Sequence, residues 1–288
     1  VGRFAPTPSG DLHLGSLYTA AASYLDARAH RGRWLLRIED LDAPRAVPGA
    51  AMRIIATLQR FGFEWDGDIV RQSDRIEHYR AALQNLRDRG LTFECTCSRS
   101  QLQDEQNYPG TCRTLARQPG ANTATRLRVG PEFVTFTDEI QGTYRQNVAA
   151  AVGDLLIKRR DQVFAYLLAV VVDDAAQGIN HVVRGADLLD NTPRQIYLQR
   201  CLHLSTPHYA HVPVLTEADG TKLAKSRRSV RADIAAPAAQ LLSVFFLLGM
   251  QPPTELRNAA LDSIWQWGIA NWNKNAVPNR LNLRIELQ

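Results

Sequence analysis

The stretch Arg3-Phe4-Ala5-Pro6-Thr7-Pro8-Ser9-Gly10-Asp11-Leu12-His13-Leu14-Gly15-Ser16 constrains the fold more than any other part of the chain. A short apolar strand enters it, prolines and a glycine break it, and a helix starting near Gly15 leaves it through Leu17-Tyr18-Thr19-Ala20-Ala21-Ala22-Ser23-Tyr24-Leu25. A strand that feeds a helix in this way leaves unpaired backbone N–H groups and a partial positive charge at the helix start, where a phosphate can sit. His13 and Gly15 stand at that point. The imidazole can donate to a phosphate oxygen, and a glycine keeps a side chain out of a nucleotide's path. Taken alone, the stretch also fits an ordinary α/β corner.

With 288 residues, 45% of them hydrophobic, the chain can bury a full core in one large domain or two modest ones. A net charge of +5 and a pI of about 9.2 suit a polyanionic partner and equally a mildly basic solvated surface. No run approaches the ~18 apolar residues of a membrane helix, and Val1-Gly2-Arg3 reads as a core strand rather than a signal peptide, so a cytoplasmic protein without a membrane partner is expected. Cys95, Cys97 and Cys112 cluster while Cys201 stands apart. In a reducing compartment that pattern suits a metal site better than a disulfide framework.

Further along, Arg33-Trp34-Leu35-Leu36-Arg37-Ile38-Glu39-Asp40 reads as a second strand whose polar end brings Glu39, Asp40 and Asp42 to one rim. The carboxyl ends of parallel strands line ligand crevices, so these acids are candidates for gripping an ammonium; alternatively they cap the next helix or pair with Arg37 and Arg45. Helices are predicted over 50–61, stopped by Gly62, and over 75–89, stopped by Gly90. From Leu91 to about Asn147 this rhythm breaks, with Phe93-Glu94-Cys95-Thr96-Cys97, a polar run, Tyr108-Pro109-Gly110-Thr111-Cys112, and strand-like alternation over 125–129 and 133–136. It reads as an insertion between two halves of a nucleotide-binding fold. Its cysteines supply three thiolates where zinc takes four ligands, and no histidine lies between Cys95 and Cys112. Tyr108 is the nearest oxygen donor; phenolate is an uncommon zinc ligand, and three buried reduced cysteines are the alternative.

Regular elements resume with a strand over 154–159, an apolar helix over 163–174 with Tyr166 near its start, and a strand from His181 that runs into Arg184-Gly185. A guanidinium at the mouth of an apolar strand needs an anion, so Arg184 calls for a carboxylate, either a substrate's or that of Asp187. A helix over 192–202 and a strand over 208–215 follow, then Lys222-Leu223-Ala224-Lys225-Ser226 after an Asp219-Gly220 turn. Two lysines and a serine on a loop can follow charge as it builds on a triphosphate, or can simply be a solvated basic loop continuing into Arg227-Arg228. From Pro237 onward the chain reads as helical, apolar over 239–248 and amphipathic over 256–269 with Trp265 and Trp267. The expected division is a first catalytic half over 1–90, an insertion over 91–150, a second half with the lysine loop over 151–235, and a helical region over 236–288.

His13-Leu14-Gly15-Ser16 and Lys222-Leu223-Ala224-Lys225-Ser226, in this order, resemble the paired HIGH and KMSKS signatures of class I aminoacyl-tRNA synthetases. Arg3 to Gly10, Arg37 to Asp40, Tyr166 and Arg184 to Asp187 extend the resemblance to the glutamyl branch of that class. With its Cys-x-Cys…Tyr…Cys insertion and no large anticodon-binding domain expected after the lysine loop, the chain is most similar to the glutamyl-Q tRNA(Asp) synthetases. That family activates glutamate with ATP and attaches it to the queuosine base in the anticodon loop of tRNA(Asp).

The resemblance implies an α/β fold, a Rossmann-type parallel-sheet class I catalytic domain with a zinc-binding insertion and a small C-terminal helical region. It implies that Arg3, Phe4, Ala5, Pro6, Thr7, Ser9 and Gly15 line the glutamate and ATP pocket, that Glu39 receives the substrate ammonium, and that Tyr166 and Arg184 complete the glutamate site. His13 and Lys225, with Lys222 and Ser226 beside the latter, would stabilise charge on the phosphates. Two arginines suit an amino acid with two carboxylates better than glutamine. Ser16 stands where many class I enzymes have a second histidine. Structural Zn²⁺ on Cys95, Cys97, Tyr108 and Cys112, Mg²⁺ travelling with ATP, and an RNA rather than a DNA partner are implied in the same way. A glutamyl-tRNA synthetase charging a 3′ end and a catalytically silent RNA-binding paralogue remain as alternatives, the second opposed by the presence of His13, Lys225, Glu39 and Arg184 together.

Overall fold

Strand β1 (Gly2–Phe4) and strand β2 (Trp34–Ile38) are buried at every residue, as befits parallel strands covered on both faces. Between them runs helix α1 (Leu14–Ala29), a helix so rich in alanine and leucine that Leu17, Tyr18, Ala20, Ala21, Ala22 and Leu25 are wholly enclosed. A computed structural model describes residues 1–98, 100–102, 107–217 and 232–285 of the chain. After β2 come α2 (Ala50–Arg60), β3 (Val70–Arg71), which pairs in parallel with β2, and α3 (Ile76–Asp88). The intervening segment contains β4 (Thr92–Cys95), β5 (Ala124–Leu127), the hairpin β6 (Phe133–Asp138) and β7 (Gly142–Asn147), and the short α4 (Val148–Ala151). Next are β8 (Leu155–Lys158), α5 (Tyr166–Ala176), β9 (His181–Gly185), α6 (Thr192–Cys201), β10 (His208–Val212) and β11 (Val214–Thr216). The C-terminal region adds α7 (Pro237–Leu247), α8 (Leu261–Ala270) and β12 (Asn282–Arg284), the last paired with β11.

Two parallel groups meet at the centre. β9 and β10 pair in parallel with His211 opposite Arg184, and the Val1 carbonyl accepts from the Asn180 and His181 N–H groups, which sets the start of β9 beside β1. The chain runs away from this junction in both directions, through β2 and β3 on one side and β10 on the other. Such a switch point opens a crevice beyond the carboxyl ends of the strands, and Arg3, Glu39 and Arg184 all come from those ends.

The strand read over 208–215 is divided at Pro213 into β10 and β11, which lie in different sheets, and the region read as helical from Pro237 onward includes the strand β12. Two further boundaries depart from the sequence expectation. The apolar helix predicted over 163–174 starts at Tyr166, because Phe164 bridges back to Lys158 and the Ala165 N–H reaches the Ile157 carbonyl, so these residues serve the β8 edge first. The β6–β7 hairpin, within the stretch read as an insertion, joins the sheet of β9 and β10 through the parallel pair Tyr209↔Asp138. β4, β5 and β8 form a separate antiparallel sheet.

One hydrophobic core packs α1, α2, α7 and α8 on one face of the parallel strands, and a second packs α3, α5 and α6 on the other. A third, small cluster consists of Phe93, Cys95, Tyr108 and Cys112. No helix among the described residues is long and apolar enough to cross a membrane.

Candidate active site

An open cleft of about 620 Å³ lies at the carboxyl ends of β1, β2 and β9. Arg3, Phe4, Ala5, Pro6, Thr7, Ser9, His13, Gly15, Glu39, Tyr166 and Arg184 all line it. Asp40 and Asp42, read from the sequence as further candidates for gripping an ammonium, do not: Asp40 accepts from the Ser73 N–H and hydroxyl, and Asp42 pairs with Arg159 at 2.9 Å and with Arg45 at 3.3 Å. Lys222, Lys225 and Ser226 lie outside the described residues.

His13 forms the wall of the cleft at the start of α1. As the residue capping that helix, it accepts the Ser16 N–H on Nδ1 at 3.2 Å, which leaves the proton on Nε2, 3.0 Å from the Ser16 hydroxyl. Burial lowers its pKa against the opposing pull of Asp187, so the ring is neutral and offers one N–H beside the helix N-terminus. Gly15 permits this geometry: a Cβ there would stand 3.2 Å from the His13 ring.

The floor is a buried array of charges. Arg37, wholly enclosed, donates from Nη2 to Asp174 Oδ1 at 2.8 Å and from Nη1 to Gln177 at 2.6 Å, and Arg3 Nε donates to the same Asp174 carboxylate at 3.2 Å. Asp173 beside it accepts from Gln72, Arg75 and Tyr79. Arg3 therefore has a protein carboxylate as partner. Glu39 does not have a close one: Arg37 Nη2 is 3.6 Å away, and Oε1 is buried without a hydrogen bond among the described residues. Burial raises the Glu39 pKa to about 7, with Arg37 and Arg3 opposing. A carboxylate so placed is relieved by a cation, and an ammonium fits.

Arg184 is the complementary case. It is 4% exposed, and no carboxylate lies within ion-pairing distance of it among the described residues. The sequence left Asp187 open as its partner; instead Nε donates to His211 Nε2 at 3.0 Å and Nη2 to the Thr192 hydroxyl at 2.9 Å, both neutral acceptors. Nη1 is buried without a partner among the described residues. Behind the imidazole, His211 Nδ1 lies 2.5 Å from Asp138 Oδ2. Asp174, Asp138, Thr192 and His211 carry no motif and were missed in the sequence; only the placement of Asp173-Asp174 in an otherwise apolar helix hinted at buried cation partners.

In the small third cluster, the Sγ atoms of Cys95, Cys97 and Cys112 lie within 4.8 Å of one another, Cys97 and Cys112 at 3.6 Å. Tetrahedral zinc with ~2.3 Å bonds spaces its thiolates by about 3.8 Å. The Tyr108 hydroxyl accepts the Cys112 N–H at 3.0 Å and is within hydrogen-bonding reach of the Cys95 thiol. The Arg126 guanidinium covers the Tyr108 ring at 3.8 Å, and Gly153, at φ +77°, is the glycine that lets the Tyr108 backbone pass. The donor set fits a closed four-ligand zinc site. Glu139, His181 and His208 also converge, at the opposite ends of β9 and β10, but there the Lys274 ammonium already donates to Glu139 and supplies the positive charge.

This fold and cleft define a nucleotide-fold catalytic domain, and the family of tRNA synthetases class I (E and Q), catalytic domain, matches residues 1–264. The chain belongs to that class I synthetase family. Within it, the chain is 54% identical over 286 residues to the glutamyl-Q tRNA(Asp) synthetase of Ectopseudomonas mendocina (strain ymp), covering 98% of this chain and 96% of that protein. It is 53% identical over 287 residues to the protein of the same name from Pseudomonas aeruginosa (strain PAO1), covering 99% and 98%. The crystal structure of glutamate-tRNA synthetase from Elizabethkingia anophelis shares the fold, with a TM-score of 0.82 at 22% identity over 99% of this chain and 67% of that one.

Proposed function

We propose that the chain activates L-glutamate with ATP and transfers it to the queuosine base in the anticodon loop of tRNA(Asp). The observation that carries the reading is that Glu39 and Arg184, which line one cleft, each keep a buried polar atom, Oε1 and Nη1, without a hydrogen bond among the described residues. An amino acid supplies an ammonium to the first and a carboxylate to the second, and leaving either group unmet costs ~1–3 kcal/mol that the ligand recovers. Arg3, shared with Asp174, adds further positive charge. The names of the near full-length relatives support glutamate and queuosine tRNA(Asp) as substrates.

In the first step a glutamate α-carboxylate oxygen attacks the α-phosphorus of ATP, forming the mixed anhydride as the bond to the β-phosphate breaks and pyrophosphate leaves. In the second a hydroxyl of the queuosine diol attacks the carbonyl carbon of the adenylate, losing its proton as AMP leaves. No covalent bond to the protein is needed; in-line geometry and charge stabilisation suffice. His13 Nε2–H and the N-terminus of α1 meet the charge on the phosphates, and Lys225, with Lys222 and Ser226 near it in sequence, is proposed to act from the other side. Mg²⁺ bound to ATP would neutralise phosphate charge. Cys95, Cys97, Tyr108 and Cys112 would hold a structural Zn²⁺, since four protein donors leave no open position for chemistry.

The test is glutamate-dependent exchange of labelled pyrophosphate into ATP without RNA, followed by transfer of labelled glutamate to tRNA pools with and without queuosine. Exchange without RNA and labelling only of the queuosine-containing pool are expected. Equal labelling of the queuosine-free pool would redirect the reading to 3′-end charging, and no exchange at high protein concentration would remove it.

A further inference from the structure

Arg184, His211 and Asp138 share no local motif, yet the sheet aligns them: β10 sets His211 opposite Arg184, and β6 brings Asp138 to the far side of the imidazole. All three are buried, His211 completely. We propose that Asp138 and His211 are positioning residues for the substrate, which fix a neutral imidazole as the acceptor for Arg184 Nε and so leave Nη1 of that guanidinium for a substrate carboxylate. The inference rests on the glutamate reading of the cleft and deepens it.

The hydrogen bonds permit one proton arrangement. Asp138 Oδ1 accepts the N–H groups of Ile140, Gln141 and His211, at 3.0, 2.8 and 3.1 Å, which holds the carboxylate in place and favours its ionised form. Oδ2 is then an acceptor only, so His211 Nδ1 must carry the proton and Nε2 must present a lone pair. Arg184 has only donors, and its Nε–H takes that lone pair at 3.0 Å. Thr192 completes the clamp: it accepts from Nη2, and its own hydroxyl has two acceptors in reach, His211 Nε2 at 3.3 Å and the Leu188 carbonyl at 3.4 Å.

The backbone of residue 211 is satisfied without its ring, since its N–H goes to Asp138 and its carbonyl accepts from Gln141. The ring is thus committed to the line between Asp138 and Arg184. Neutral acceptors matter here. A carboxylate in place of His211 would neutralise Arg184 as Asp174 does Arg3, and would compete with the substrate for it. A neutral imidazole orients the guanidinium and leaves its charge unspent.

Three variants test this in the pyrophosphate exchange assay: His211→Leu removes the acceptor, His211→Gln offers an amide oxygen in its place, and Asp138→Asn can donate to Nδ1, shifting the ring proton to Nε2 so that donor faces donor. Asp138→Asn keeps the oxygen that binds the loop N–H groups, and a thermal melt of each variant checks that it folds. His211→Leu and Asp138→Asn are expected to raise the glutamate KM ~10- to 100-fold, with the ATP KM unchanged, and His211→Gln to restore most of the loss. A wild-type glutamate KM in His211→Leu or Asp138→Asn, or an equal loss in His211→Gln and His211→Leu, overturns the inference. If the wild-type protein itself shows no glutamate-dependent exchange, the functional reading fails first, and the inference falls with it.

Discussion

Glu39 carries a charge in the fold at a cost that the proposed substrate ammonium would relieve. Its folded pKa of about 7, raised mainly by burial, lies well above the ~4.3 of a free glutamate side chain. Protonated Glu39 is comfortable in the folded state; as pH rises from the unfolded value through 7, ionisation costs the fold an amount that is complete above pH 7. An incoming ammonium requires the ionised form. So kcat/KM for glutamate is expected to climb with pH up to about 7 and then level off, and Glu39→Gln should abolish that inflection, lower kcat/KM and raise the melting temperature at pH 8 but not at pH 4. A mutant that keeps the inflection would place the titrating group elsewhere. At this scale the sequence was informative where a residue stood alone in an unexpected place. Arg184 at the end of an apolar strand announced a missing anion, and His13-x-Gly15 announced a helix N-terminus open to phosphate. Its partners did not announce themselves: His211 and Asp138 reach Arg184 only through strand pairing, and no local pattern records which strands pair.

Among the elements, those with strong internal periodicity or continuous apolar runs were legible, and those defined by a neighbour were not. β2 and α1 follow from their own residues, whereas the start of α5 is set by the pairing of Phe164 with β8 and the destination of β6 by β10. The cysteine segment is an intermediate case, because C-x-C…C marks three ligands while the fourth depends on a fold that brings Tyr108 to the thiols. There the small cluster of Phe93, Cys95, Tyr108 and Cys112 is too slight a core to stand unaided. If zinc is its main cohesive element, Cys97→Ser should reduce zinc content measured by elemental analysis and lower the melting temperature while the glutamate KM stays at the wild-type value. A raised glutamate KM with an unchanged melting temperature would instead connect the metal to the cleft.

Over the whole molecule, the C-terminal helices complete the core against which α1, the helix capped by His13, is packed. Trp265 on α8 is 4% exposed, packs edge-on against Tyr24 of α1 and against Phe63 and Phe245, and donates its indole N–H to the Phe61 carbonyl at 2.8 Å. It also occupies the space above Gly62, where a Cβ would come within 3.2 Å of the indole nitrogen, so the turn ending α2 and the helix α8 are shaped to each other. The face of α1 that rests on this aromatic cluster belongs to the helix that His13 caps, and Tyr24 on that face is packed by Trp265 together with Trp34 and Phe63. Trp265→Ala should therefore destabilise the entire chain by ~3–5 kcal/mol, combining lost burial with an orphaned carbonyl. In urea the midpoint would fall and the transition would stay single when followed by both fluorescence and far-ultraviolet circular dichroism, with glutamate-dependent exchange persisting at low temperature and failing early on heating. Two separated transitions, the first leaving exchange intact, would show that α7 and α8 fold as an appendage and that α1 stands without them.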